Sequence, residues 1–367
     1  MLLAFLLLAP RVDLMTMGPG DHPYERFGHA ALVLAEDGRE LVFNYGAADF
    51  DDPRFFVDFL RGRARFRVGT ASVPWTLRAY RAKDRDIYRQ RLRLSQRGAR
   101  RLADRLQGDA DPEIGGYTYH HFRDNCTTRV RDVIDDAVDG RLRRATAGRK
   151  APQTLRDHLR GSLAGRIHLQ LGAELLGRPL DERPDLWAAM YLPEILREQV
   201  TALAVGGPAE RLHVRRAASP RAGDPRAAHR LIWAAAILAA MVLALLARRG
   251  ARAERAAFVL AAALLLAPAL ALDLAALALR QPEVWWNENL VIFLPLDLAL
   301  LLPPRIARRW ARARVLGLAL LALLHVAGVA RQDAAASAAF ALGCLAPLRV
   351  AYGGAAIDST NRRTRST

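Results

Sequence analysis

The chain has 367 residues, with 54 Lys plus Arg against 37 Asp plus Glu, a formal charge of +17, and 52% hydrophobic residues. That length is more than one compact core usually holds, and that apolar content excludes a disordered, charge-driven chain. Charge bears on partners only through where it sits. Here arginines flank apolar runs, so a nucleic-acid partner is set aside.

Residues 1–9 of MLLAFLLLAP form an apolar run too short to span a bilayer and read as a truncated signal or anchor. Residues 10–205 read as a mixed soluble domain with a helical extension. Phe27–Leu34 and Glu40–Tyr45, separated by Asp37-Gly38, carry a hairpin signal. Ala64–Thr70 and Asp86–Leu94 alternate as two further strands. Ser95 caps a helix with Ala99, Leu102, Ala103 and Leu106 on one face, and Asp124 or Asn125 caps another that presents Val130, Val133, Ile134 and Ala137. Residues 152–205 read as mostly helical. Residues 206–230, rich in Pro, Gly, Arg and Ala, read as a linker.

From Leu231 the chain becomes apolar. Leu231–Ala247 and Ala256–Leu279 have the length needed to cross hydrocarbon, roughly 20 residues. Leu290–Leu302, Val315–Ala330 and Ala334–Pro347 are shorter or weaker runs, giving an expected membrane bundle of four or five helices over 231–350 and a tail over 351–367. Positive charge in short loops stays cytoplasmic. Arg248, Arg249, Arg252 and Arg255, then Arg305, Arg308, Arg309, Arg312 and Arg314, then Arg349 and the tail therefore lie inside, and the soluble domain lies on the outer face. Trp285 and Trp286 sit where an aromatic belt is expected, and Asn287 and Asn289 beside them are possible membrane-interface residues. Asp297, within an apolar run, must face the bundle interior or lie near an interface.

Two cysteines, Cys126 and Cys344, give no disulfide framework. A lone thiol outside the cell is open to over-oxidation, and Cys126 begins a helix, where backbone N–H groups and the macrodipole favour a thiolate. Those same amides could hold an oxyanion. A thiol nucleophile needs an imidazole. His120 and His121 are adjacent, so at most one could approach Cys126. His29 lies within an apolar strand, where a half-buried, hydrogen-bonded structural His is the plain alternative. Asn44 on the next strand could orient its ring. One Cys and scattered His show no zinc-ligand spacing, so neither a metal nor a cofactor is expected.

The order F-G-H-A-A (Phe27–Ala31), F-N-Y-G (Phe43–Gly46) and Y-x-Y-x-x-F-x-x-N-C-T-T-R (Tyr117–Arg129) resembles a permuted papain-like domain. More specifically, it resembles the periplasmic domain of the Lnb-type bacterial lipoprotein N-acyltransferases. Leu171-Gly172, Met190–Leu196, the stretch Trp286–Leu290 and Pro295 add to the likeness. The resemblance implies an α+β thiol domain followed by an all-α transmembrane bundle in the bacterial inner membrane. It also implies transfer of a fatty acyl chain from a phospholipid or diacylglyceryl donor to the N-terminal amine of lipoproteins. Cys126 would be the nucleophile, His29 the base and acid, and Asn44 the orienting group, with Gly28, Tyr45, Asn125 and Thr127 in support. The residues alone also admit a membrane-tethered cysteine peptidase or amidase acting on cell-wall peptide, and a non-catalytic scaffold.

Overall fold

The β2–β3 hairpin, His29–Glu36 and Arg39–Ala47, turns on Asp37 and Gly38, both at positive φ (49° and 76°). This is the paired left-handed geometry that matches strand twist in a two-residue loop. The computed structural model describes residues 10–49, 52–111, 116–279 and 281–349. The expected leader over 1–9 and tail over 351–367 lie outside them. The chain forms two units: 10–173, 179–227 and 278–285 in the first, and 174–178, 228–277 and 286–349 in the second.

The first unit is an α+β domain on a seven-stranded sheet of order β6-β4-β3-β2-β1-β5-β7, with every pair antiparallel. The other strands are β1 Arg11–Met17, β4 Arg65–Ser72, β5 Ile87–Arg91, β6 Tyr117–Thr118 and β7 Glu210–His213. Strand β1 lies between β2 and β5, and sequence patterning does not reveal it. Its residues are buried on both faces, so polar positions do not alternate with apolar ones. On one face Leu14, Leu32, Phe43 and Tyr45 pack with Leu102, Val130, Ile134 and Leu196. These come from the helices Gln96–Asp109, Cys126–Ala137 and Pro193–Ala202. On the other face Met15, Met17, Ala31, Val33 and Val42 pack with Val73, Leu77 and Tyr80 of the helix Val73–Ala82. Val130 and Ile134 are fully buried. Each such side chain stabilises by roughly 1.5–3 kcal/mol, which fixes the start of the Cys126 helix against the sheet.

Within the expected linker 206–230, strand β7 and the turns after it belong to the first unit, and Ala227 opens the helix Ala227–Arg248. Strand β7 pairs with β5, and the Asp84 carboxylate accepts from the amides of Arg216 and Ala217. Arg215 binds Asp21, and Arg221 binds Glu194 and the Arg26 carbonyl. The side chains of Arg211, Arg215 and Arg221 are thus paired to acidic groups and carbonyls of the sheet unit.

The second unit is helical. Ala227–Arg248, Ala251–Ala278 and the interrupted stretch Pro282–Leu301 are long and apolar enough to cross a membrane. Pro304–Val326 also has the length but carries arginines through its first half, and Ala335–Arg349 is a shorter apolar helix. Asp297 is fully buried and accepts from Trp310 Nε1 at 2.9 Å and Arg314 Nε at 2.8 Å. Arg314 also donates to the Val291 and Ile292 carbonyls, tying the break in the apolar stretch to the next helix.

Candidate active site

Cys126 opens its helix directly after Asn125, whose side-chain oxygen accepts from the amides of Thr127 at 2.9 Å and Thr128 at 2.8 Å. The Asn125 amide donates to Thr128 Oγ1 at 2.8 Å, completing a capping box. Asn125 Nδ2 donates to the carbonyls of His121 and Tyr191, so the cap is bound on all sides. The cap also narrows an expectation. Thr127 and Thr128 amides are occupied, which leaves the Cys126 amide as the first-turn donor with no partner among the described residues.

His29 is the first residue of β2. Gly28 before it holds φ 77°, and a Cβ there would lie 2.9 Å from the Met17 carbonyl oxygen and 3.1 Å from Pro193. Glycine is therefore required to bring the chain into the sheet at this point. His29 Nε2 hydrogen-bonds Asn44 Oδ1. A carboxamide oxygen only accepts, so Nε2 carries the proton and Nδ1 is the ring nitrogen left for the sulfur.

The two halves of the site arrive from opposite faces of the sheet. Ala30 and Leu32 face the Cys126 helix, whereas Ala31 and Val33, in phase with His29, face the Val73–Ala82 helix. The β2–β3 ladder ends at Leu32↔Phe43, and β3 shifts register between Tyr45 and Ala47. Gly46, the extra residue, sits at φ 108°, and a Cβ on it would lie 3.6 Å from Cys126 Cβ and 3.8 Å from His29 Cε1. Ending the ladder and omitting one side chain let thiol and imidazole meet beside the bulge.

Burial opposes charge on both groups, and their mutual attraction and hydrogen bond overcome it. The His29 pKa is raised, with Arg85 opposing and Asn44 adding to the rise. Burial pushes the Cys126 thiol up, but His29, the Ala30 N–H and the Thr127 hydroxyl bring it from 9.0 down to about 7. Thr127 Oγ1 lies 3.8 Å from Sγ. Both cysteines are free thiols. The arrangement pairs a thiol of lowered pKa with an imidazole of raised pKa, with an oriented ring and one amide donor at the sulfur-bearing residue, the equipment of nucleophilic acyl chemistry.

Residues 9–161 match the family model described as the Lnb N-terminal periplasmic domain. No curated protein and no solved structure matches the chain. The matched span contains Cys126, His29, Asn44 and Gly46, and it fits an Lnb-type protein. Together with three helical segments long enough to cross a bilayer, it marks a membrane protein.

Tyr45, His120 and His121 have other partners in the first unit. Tyr45 points to the face opposite Asn44 and donates to Asp109 Oδ2 at 2.7 Å. His120 lies 4.0 Å from Glu283, and His121 packs edge-on against Phe27, Phe122 and Tyr191. Sequence reasoning passed over Gly46, Tyr80 and Arg85. The F-N-Y-G run contained the signal for Gly46, since a glycine ending a strand pattern marks a bulge.

The interfacial reading divides. Trp285 and Trp286 are exposed, at 56% and 70%. Asn287 and Asn289, the expected membrane-interface residues beside them, are buried within the protein. Asn287 Nδ2 donates to the Leu175 carbonyl at 2.7 Å, and Asn289 Nδ2 donates to the Glu174 and Leu175 carbonyls at 3.2 Å. Gly177 passes close over the Trp286 carbonyl, which accepts from the Arg178 amide. The asparagines thus donate to carbonyls of an irregular backbone segment, where helix geometry supplies no regular donors.

Proposed function

We propose that the protein is a thiol-dependent acyltransferase of the bacterial inner membrane, with its Lnb-type domain on the periplasmic side. It moves a fatty acyl chain from a lipid ester through Cys126 to the N-terminal amine of lipoproteins. The observation that carries this reading is the Cys126–His29–Asn44 constellation inside the span that matches the Lnb periplasmic domain. We read that constellation as a papain-like dyad in permuted order, on a chain of four or five spans.

The Cys126 thiolate attacks the ester carbonyl, and the Cys126 amide receives the developing oxyanion. As the tetrahedral species collapses, the C–O bond breaks and His29 Nδ1–H gives its proton to the leaving alkoxide, releasing a lysolipid alcohol. The enzyme holds the chain as a thioester. The neutral α-amine of a lipoprotein cysteine then attacks that carbonyl and loses a proton to His29. The C–S bond breaks, and the amide product leaves Cys126 and His29 as they began. Asn44 keeps Nε2 protonated and the ring in plane throughout.

The test compares N-terminal lipoprotein peptides by mass spectrometry in cells carrying the wild-type protein or Cys126→Ala. N-acylated peptides are expected only with wild type. An identical N-acyl state in both strains would overturn the proposal.

A further inference from the structure

Tyr80 stacks on the imidazole of His29, with ring centroids 6.2 Å apart and planes within 14°. The guanidinium carbon of Arg85 lies 4.9 Å from the centroid of the same Tyr80 ring. Arg85 comes back over Tyr80 because Asp84 takes φ 47°, and the Arg85 amide then bonds the Tyr80 carbonyl at 3.1 Å. The arginine is 3% exposed. Nε donates to the Gly18 carbonyl at 2.8 Å, Nη1 lies 3.7 Å from Glu25, and Nη2 is buried with no partner among the described residues. Native proteins rarely leave a buried cationic donor unpaired. Glu25 neutralises it only in part, because Lys83 holds the same carboxylate oxygen at 2.6 Å. Nη2 is sealed from solvent, so this charge acts on its neighbours and not by gripping substrate.

We infer that Arg85 is a positioning residue for the Cys126–His29 pair: its buried guanidinium, seated over the ring that stacks on His29, supplies a fixed positive charge that keeps the sulfur anionic and makes the imidazolium a readier proton donor. This rests on the thiol chemistry proposed above. A cation near the pair favours loss of each proton in turn, first from sulfur and then from the ring. The electrostatics agree in sign, since Arg85 lowers the proton affinity of His29 and is itself favoured by negative charge on Cys126. The other ionisable groups facing the pair are the phenols of Tyr80, Tyr117 and Tyr119, each buried and raised well above the working range. Facing Arg85 are Tyr24, Tyr80, Glu25 and, across Glu25, Lys83.

The experiment is the pH dependence of Cys126 alkylation by iodoacetamide, read on the Cys126 peptide of the full-length protein in detergent. Arg85→Gln should move the midpoint upward and slow alkylation at pH 6 about three- to tenfold. Glu25→Gln, which removes the opposing charge, should move it downward and speed alkylation at pH 6. A purely structural role would not give shifts of opposite sign. An unchanged midpoint in folded Arg85→Gln, or an upward shift in Glu25→Gln, would overturn the inference. If Arg85→Gln does not fold, Glu25→Gln decides alone. Acylation of Cys126 by a phospholipid with a labelled chain is measured separately. Opposite midpoint shifts without acylation remove the lipid substrate and leave Arg85 its role. Normal acylation with unmoved midpoints does the reverse.

Discussion

Asn44 holds His29 from the neighbouring strand, oxygen to Nε2, and so decides which ring nitrogen meets the sulfur. Asn44→Ala leaves the ring free to rotate and to take the other tautomer. Acyl-enzyme formation should fall about 10- to 100-fold, as expected when a general acid loses its orientation, while the far-ultraviolet spectrum stays unchanged. Single-turnover acylation by labelled lipid measures it.

With its thiol at about 7, Cys126 is half ionised near neutrality. Alkylation by iodoacetamide should fall close to tenfold per pH unit below that point, since the thiolate is the reactive form. His29→Ala removes the main lowering influence, so alkylation at pH 7 should slow at least tenfold. Folding stability follows the same signs. The raised His29 contributes stability that is fully present below its unfolded value and lost as pH rises through its folded one. The lowered Cys126 contributes stability present above its unfolded value and lost as pH falls through about 7. Thermal melts over pH 5–9 of wild type and Cys126→Ala check this.

Asn125 is 4% exposed and satisfies two amides and two carbonyls. Asn125→Ala should destabilise the domain by about 1–2 kcal/mol from the cap alone, read as a lower melting temperature. Asn125→Asp keeps the acceptor but places a negative charge beside the thiolate, so the Cys126 midpoint should rise. An unmoved midpoint would show that the cap has no electrostatic hold on the sulfur.

Gly46→Ala tests the bulge. The added methyl meets only ordinary contacts with Cys126 and His29, so its cost is conformational, on the order of 1–3 kcal/mol at φ 108°. A melting temperature equal to wild type would show that the bulge tolerates a side chain.

In the helical unit, Arg314→Met leaves the buried Asp297 carboxylate without its cation. Removing one partner of a buried pair costs about 3–5 kcal/mol, so this variant should unfold early in detergent. Arg314→Met combined with Asp297→Leu should recover much of that loss.

Periodicity and punctuation revealed the hairpin at Asp37-Gly38, the helix after Ser95, and Cys126 at a helix start, because those signals are local. Strand β1 escaped notice because burial on both faces erases alternation. Composition does not distinguish the arginines of 206–226 that pair with Asp21, Asp86 and Glu194 from arginines in solvent. Nor does composition distinguish an amide that satisfies buried backbone, as Asn287 and Asn289 do, from one that faces water.

The amino-acid order alone determined that a thiol begins a helix, that a histidine follows a glycine into a strand, and that long apolar runs come after both. Those are properties of neighbours along the chain. Only the tertiary structure decided that sulfur and imidazole meet, because they start on opposite faces of one sheet. Their meeting depends on where the β2–β3 ladder ends and on a left-handed glycine, and it joins two residues far apart in sequence.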